Sequence, residues 1–268
     1  MILRALPYAE PAVERDQRPP QPRPYALPDH SGVVVDLRAP EQLTIDLREG
    51  ATEAPWLMSQ EGLLGASGWE RAAKRLLDVT VGGLVLAVLS PVLLAVALMV
   101  KLSSRGPVFY ASDRVGCRGR RFRFLKFRTM CWDADARRHE LYDQNEVPDG
   151  VVFKIRRDPR ITRVGRVLRK LSIDELPQLL HVLSGKMSLV GPRPPLPEEV
   201  AAYGAWEAQR LLVKPGLTCV WQVSGRSDLD FHTWVSMDIQ YIRDWNLWVD
   251  LKLIARTVPA VLTGHGAY

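Results

Sequence analysis

Cysteine and histidine are scarce in this chain, with three cysteines (Cys117, Cys131, Cys219) and five histidines among 268 residues. The cysteines stand too far apart for a CxxC knuckle. Their odd number, with no secretory leader, argues against a disulfide scaffold and for a reducing compartment. The histidines show neither HExxH nor paired-ligand spacing, which argues against a zinc centre. No internal repeat is visible, so solenoid and propeller arrays are set aside. The first thirty residues lack an apolar core and hold seven prolines; they read as a flexible Pro-rich lead-in rather than a targeting peptide. Charge is missing altogether from residues 79–100, and this absence is the most informative of all.

What is present is the composition of a folded chain, 47% hydrophobic and 25% charged. The charge is unevenly placed. Residues 1–70 carry 6 Arg and 11 Asp/Glu, whereas residues 71–268 carry 30 basic against 19 acidic side chains. The later part should therefore seek phosphate, anionic lipid or nucleic acid. Within residues 31–68, Val33–Leu37 and Leu43–Leu47 alternate around Ala39-Pro40, predicting a small β-hairpin-like extension. It could pack on the main domain or on a partner.

The 22 uncharged residues from Val79 to Val100 cover about 33 Å as a helix, matching a bilayer core of about 30 Å. Ser90-Pro91 sits at their centre, where proline removes a backbone donor and crowds the carbonyl of Ala87. Arg71, Lys74 and Arg75 precede the segment and Lys101 and Arg105 follow it, so both flanks favour the same membrane face. We therefore read residues 69–105 as a re-entrant helix-break-helix in one leaflet, ahead of a kinked spanning helix or a buried core helix. Ser90 is well placed to satisfy a freed carbonyl.

Two basic stretches follow, nine Lys/Arg in 101–130 and eight in 154–170. Attraction to anionic headgroups explains most of them. Some, Arg160 among them, can instead converge on a substrate diphosphate, because guanidinium matches phosphate oxygens in bidentate fashion. In Phe122–Met130 the apolar parity shifts after Phe124, leaving Lys126 and Arg128 two apart on one side. They form a phosphate clamp or are two ordinary exposed charges.

The run Ser172–Pro194 is the richest. Asp174-Glu175 places two carboxylates side by side before an apolar helical pattern. Ser172 with Glu175 fits a capping box, and Asp174 could itself be the N-cap. The same position suits catalysis: a carboxylate at a helix N-terminus among arginines stays ionised and can attack phosphorus, while Glu175 can hold Mg²⁺. Gly191-Pro192-Arg193-Pro194 fixes the backbone around Arg193, which suits phosphate binding. Further on, Lys214-Pro215-Gly216 through Gly225-Arg226 makes a turn, a short strand and a loop that could cradle a nucleotide, with Gly216 and Arg226 on its nucleotide side. Tyr241, Trp245 and Trp248 fall on one helical face, either a core stripe or an aromatic set at headgroup level.

Taken together, these motifs resemble the monotopic phosphoglycosyl transferases, the bacterial sugar transferase family. The resemblance runs from about Trp69 to Tyr268. It rests on Lys74-Arg75 with Asp78, Ser90-Pro91, Lys126–Met130, Asp158-Pro159-Arg160-Ile161-Thr162, Ser172–Gln178, Gly191–Pro194 and Lys214–Thr218. It implies that Asp174 is the nucleophile and Glu175 a Mg²⁺ ligand, with Arg193, Lys126, Arg128 and Arg160 on substrate phosphates. Asp174 would attack the β-phosphorus of a UDP-sugar, expel UMP and carry a phosphosugar to polyprenyl phosphate, starting a surface glycan. The Thr218-Cys219-Val220-Trp221-Gln222-Val223-Ser224-Gly225-Arg226 form looks like the exopolysaccharide-initiating branch, which leans towards UDP-glucose or UDP-galactose.

The fold expected is α+β and mainly helical, with a re-entrant membrane helix and interfacial amphipathic helices around a small cytoplasmic catalytic domain at 106–268. The implied place is the cytoplasmic face of the bacterial inner membrane, and a homodimer is compatible with it. Nucleic acid is not an expected partner, since no recognisable binding module accompanies the basic charge. A polytopic phosphotransferase would need more membrane segments, and a basic membrane adaptor would need none of the acidic motif.

Overall fold

The computed structural model describes residues 33–35, 45–47, 62–144, 155, 157–224 and 230–264. Val33–Val35 (β1) and Ile45–Leu47 (β2) pair antiparallel, with Val34 opposite Asp46. The proline-rich lead-in falls outside the described residues. After one helical turn, Gly62–Gly65 (α1), the chain enters a helix of 36 residues, Gly68–Ser103 (α2). Ser67 and Glu70 cap it reciprocally: the Ser67 N–H donates to Glu70 Oε2 at 2.8 Å, and the Glu70 N–H donates to Ser67 Oγ at 3.4 Å.

Among the described residues, α2 is the one helix long and apolar enough to cross a membrane. It runs unbroken past Pro91, where the sequence predicts an interruption. The reason is local. Proline cannot donate to the Ala87 carbonyl one turn earlier, and the Ser90 hydroxyl donates to that same carbonyl at 2.8 Å, so the helix continues with its acceptor satisfied.

Both ends of α2 are fastened to one folded body. Near the N-terminus Lys74, Asp78 and Gly82 form a buried stripe at four-residue spacing. Lys74 Nζ lies 2.6 Å from Asp250 Oδ2 and 3.1 Å from the Val190 carbonyl; Asp78 Oδ1 accepts from Ser188 Oγ at 3.0 Å and the Leu189 N–H at 2.8 Å. At the other end Val96 and Val100 pack with Phe127 and Leu168. Between these anchors the helix faces outward, with Leu84 and Val88 each 65% exposed and Leu94 72%.

The body is mainly helical with small sheets. Phe109–Val115 (β3) and Arg121–Phe127 (β4) form an antiparallel hairpin in which Tyr110 faces Lys126. Arg163–Lys170 (α3) starts at an N-cap, Thr162, whose hydroxyl accepts from the Gly165 N–H at 2.9 Å. A 3₁₀ turn, Ile173–Gln178, runs straight into Leu179–Leu183 (α4), followed by Ser188–Val190 (β5). Two short helices, Pro197–Ala201 (α5) and Ala205–Ala208 (α6), lead to Gly216–Thr218 (β6), which lies parallel to β5. Phe231–Arg243 (α7) and Leu247–Thr263 (α8) complete the described chain. Phe124, Leu179, Val182, Met187, Tyr241 and Trp245 sit in one core between them.

The aromatic stripe expected at Tyr241, Trp245 and Trp248 is divided. Asn246 caps a new helix by accepting the Val249 N–H at 3.1 Å, so the three residues do not share one helical face. Tyr241 and Trp245 are buried and both donate to Asp250 Oδ1, at 2.8 and 3.1 Å. Trp248 is 71% exposed.

The Lys74–Asp250 pair therefore joins the long helix to the last one through a buried polar network. Asp250→Ala, which strands the buried ammonium, should lower unfolding stability by about 3–5 kcal/mol. Denaturant unfolding in detergent measures this, and Lys74→Met paired with Asp250→Leu should recover much of the loss.

Candidate active site

The acidic turn is built by a reversal of the chain. Leu171 closes α3, and Ser172 takes the left-handed conformation at φ 53°, ψ 20°, at a cost of about 1–2 kcal/mol for a residue with a Cβ. Its N–H still reaches the Arg169 carbonyl at 3.0 Å. The reversal folds Ile173–Gln178 back on α3, and β4 packs against the same turn. Asp174 and Glu175 are thus placed between a strand and a helix that both carry cations.

Neither carboxylate is a helix cap. The Ser172 side chain makes no capping bond, and Glu175 turns away to Arg193, whose Nη2 lies 2.7 Å from Glu175 Oε1. Asp174, only 6% exposed, has no hydrogen bond or ion pair among the described residues. Lys126, Arg169 and Arg193 nonetheless act on it electrostatically. Burial, and then the Glu175 charge beside it, push the Asp174 carboxyl up to about 6, against the pull of those cations. The sequence predicts an ionised Asp174 helped by a helix dipole; a 3₁₀ turn has little dipole, and desolvation raises the carboxyl instead. Burial acts on Glu175 as well, but the Arg193 charge and hydrogen bond outweigh it and hold that group below its ordinary value. Burial, followed by the Arg169 charge, draws the Lys126 amine down to about 8.

These groups line one cavity of about 970 Å³. Arg114, Lys126, Arg169 and Arg193 converge at its acidic end, while Val81 and Val85 of α2 with Ile254 and Val258 of α8 form an apolar wall. One chamber thus combines a polar end and a greasy side, with room for a nucleotide sugar.

The predicted cations divide by what occupies them. Arg193 and Lys126 face the acidic pair. Arg128, expected beside Lys126 as a clamp, is buried and donates to the carbonyls of Ser104, at 2.8 Å, and Arg105. It caps the end of α2, whose last carbonyls lack intrahelical donors. Arg160 is likewise engaged: its Nε and Nη2 grip Asp158 at 2.9 and 2.6 Å, and Nη1 donates to the Ala134 carbonyl at 3.0 Å. Gly216 lies outside the cavity wall. A Cβ there would come within 2.1 Å of the Gly191 N, so it permits the close β5–β6 crossing that leads into the Arg193 loop. Arg226 lies outside the described residues.

Two site residues escaped the sequence reading. Arg114 of β3 donates to the Pro194 carbonyl at 3.1 Å and stacks over Phe124, while its buried Nε has no partner among the described residues. Arg169 of α3 donates from Nε to Thr129 Oγ1 at 2.9 Å. The second was one of eight basic residues in a run; its spacing of five before Asp174 acquires meaning only through the reversal at Ser172. Three buried aspartates outside the acidic pair each have a cation: Asp158 with Arg160, Asp238 with Arg210 at 2.8 Å, and Asp250 with Lys74. Arg210 also donates to the Arg193 carbonyl at 3.3 Å, which braces that loop.

Comparison with known proteins identifies the family. The family model described as "Bacterial sugar transferase" matches residues 69–264. The "Exopolysaccharide production protein ExoY" of Rhizobium meliloti (strain 1021) is 43% identical over 201 residues, 73% of this chain and 88% of its own length. The "UDP-glucose:undecaprenyl-phosphate glucose-1-phosphate transferase" of Caulobacter vibrioides is 44% identical over 203 residues, 73% of this chain and 72% of that protein. The "Galactosyl transferase CpsE" of Streptococcus agalactiae serotype III is 45% identical over 197 residues, 73% of this chain but only 43% of that protein. The chain thus spans less than half of some relatives and nearly all of others. With the family model covering most of the chain, and the acidic turn, the Arg193 loop and the long apolar helix all inside the match, the chain belongs to the bacterial sugar transferase family.

Proposed function

We propose that this chain transfers a hexose-1-phosphate from a UDP-sugar to polyprenyl phosphate at the cytoplasmic face of the bacterial inner membrane, as the first step of an exopolysaccharide. The observation that carries this reading is the contrast within the acidic pair. Glu175 is held by Arg193, whereas Asp174 sits among cations with its oxygens uncommitted, at the polar end of a cavity with an apolar side. The names of the relatives supply the substrates: one is a UDP-glucose:undecaprenyl-phosphate transferase and another a galactosyl transferase.

In this mechanism an Asp174 oxygen attacks the β-phosphorus, the bond to the α–β bridging oxygen breaks, and UMP leaves with that electron pair. The phosphate of the lipid then attacks the same phosphorus, frees the Asp174 carboxylate and yields polyprenyl-diphospho-sugar. Two displacements at one residue mean that the nucleotide and the lipid need not be bound together. Lys126, Arg114, Arg169 and Arg193 offset the charge that two anionic partners bring. Glu175, together with substrate phosphate oxygens, would hold Mg²⁺, which takes oxygen ligands of this kind. Bound there, Mg²⁺ would supply further neutralisation of the diphosphate.

We read α2 as re-entrant, with both of its ends at one face of the membrane. A spanning helix would carry its two ends to opposite faces, but Lys74 and Asp78 at one end and Ser104 and Arg105 at the other all hold to the same body. The exposed apolar residues of α8, Trp248, Leu251, Val258 and Leu262, suit an interfacial helix.

Four measurements test these statements. With UDP-glucose or UDP-galactose, Mg²⁺ and undecaprenyl phosphate, the chain should release UMP, and Asp174→Asn should lower the rate by more than about 10³-fold. The hexose-phosphate adduct seen by intact-protein mass spectrometry should vanish with it; a turning-over Asp174→Asn protein overturns the nucleophile. The pH profile of kcat/KM should be a bell, falling on the acid side through about 6 as Asp174 protonates and on the basic side through about 8 as Lys126 loses its charge. Finally, cysteines placed at Arg71 and Arg105 should react with an impermeant label from the same side of a sealed vesicle, and reaction from opposite sides excludes the re-entrant helix.

A further inference from the structure

His181 lies on α4, seven residues beyond Asp174, and the chemistry above makes no use of it. Its Nε2 accepts the backbone N–H of Leu125 at 3.1 Å. That amide belongs to the edge of β4 turned away from β3, because antiparallel pairing alternates along a strand. The ring is held by Phe122, edge-on at 5.5 Å between centroids, and by Phe124, stacked at 6.5 Å. An imidazole accepting through Nε2 carries its one proton on Nδ1 and is neutral. Lys186, beyond the end of α4, acts on the ring electrostatically, Arg75 of α2 binds the Val182 and Leu183 carbonyls of the same helix, and Arg114 lies over the Phe124 ring that His181 stacks on. Burial, and then Lys186, push the His181 ring below its ordinary value.

We infer that neutral His181 is a positioning residue that ties the free edge of β4 to the helix continuing from the acidic turn, and so fixes Lys126 against Asp174. The turn runs into α4 without a spacer, so Asp174 and His181 share one rigid unit. Lys126 follows Leu125 directly. One side-chain hydrogen bond therefore bridges the element carrying the negative charge and the strand carrying a positive one. Protonation would turn the acceptor into a donor facing a donor, and the strand edge would be released. Loss of activity in acid would then include the release of this strand edge.

The activity arm of the test rests on the transfer reading; the other two arms do not. His181→Gln sets an amide oxygen near the Nε2 position as an acceptor that does not titrate, and His181→Phe keeps an aromatic ring without an acceptor. His181→Phe should lower kcat for UMP release about tenfold with KM for the UDP-sugar unchanged within about twofold. His181→Gln should restore most of that loss, with an acid limb shallower than in the parent chain. ¹⁵N-histidine spectra of the full chain in nanodiscs should show an unprotonated Nε2 at neutral pH. ¹⁵N-lysine titration should show Lys126 in His181→Phe moving back towards its ordinary value. A parent-like kcat in His181→Phe, a parent-like acid limb in His181→Gln, or a protonated Nε2 overturns the inference. So does a Lys126 titration indifferent to His181→Phe. Should the parent chain release no UMP, the transfer reading fails, and the two spectroscopic arms still decide on His181.

Discussion

Two carboxylates side by side in a buried turn repel each other and resist desolvation, and the rest of the site is arranged around that cost. Cations reach them from four separate elements: Arg114 from β3, Lys126 from β4, Arg169 from α3, and Arg193 from the loop after β5. Their effect is unequal. Arg193 bonds Glu175 directly and keeps it charged, while Asp174 receives only through-space support and has its proton affinity raised. An asymmetric environment thus gives two adjacent acids two characters, one fixed in place and one poised to ionise near neutrality.

The basic surplus of the chain serves two ends that composition cannot separate. Arg75 and Arg128 donate to the terminal carbonyls of α4 and α2, Arg160 and Arg210 neutralise Asp158 and Asp238, and none of these four depends on a ligand for partners. Guanidinium suits this work because its planar fork satisfies two acceptors at once and stays charged when buried. Arg114, Lys126, Arg169 and Arg193 act on the acidic pair instead. This division explains how so many arginines can lie in a modest domain with few of them free to meet phosphate.

Much of the site was legible in the sequence because its signals are local. The uncharged run, Ser90-Pro91, the Asp174-Glu175 pair and the rigid loop around Arg193 all declare themselves within a few residues. The sequence predicts a break at Pro91 although its remedy, the Ser90 hydroxyl, is adjacent, because spacing alone does not show that this hydroxyl takes over the freed Ala87 carbonyl. Arg128 and Lys126 look alike along β4, and only the return of α2 over the strand shows that one of them ends a helix. Arg114 and Arg169 acquire their meaning from a strand pairing and a left-handed serine, neither of which spacing reveals. The divided aromatic stripe was set by a single cap, Asn246, in a pattern that otherwise fits one helix.

The tie between Lys74 and Asp250 spans 176 positions of the chain, and synthesis runs from one end. At about 5–20 residues per second, the acidic partner emerges roughly 10–35 s after the amine. Asp78 meets the Ser188 hydroxyl and the Leu189 N–H sooner, after 110 and 111 positions, so Lys74 is the last of the buried stripe to find its partner. The inner face of the long helix is therefore completed only by the last one, and a chain interrupted before Asp250 would leave the Lys74 ammonium without its carboxylate.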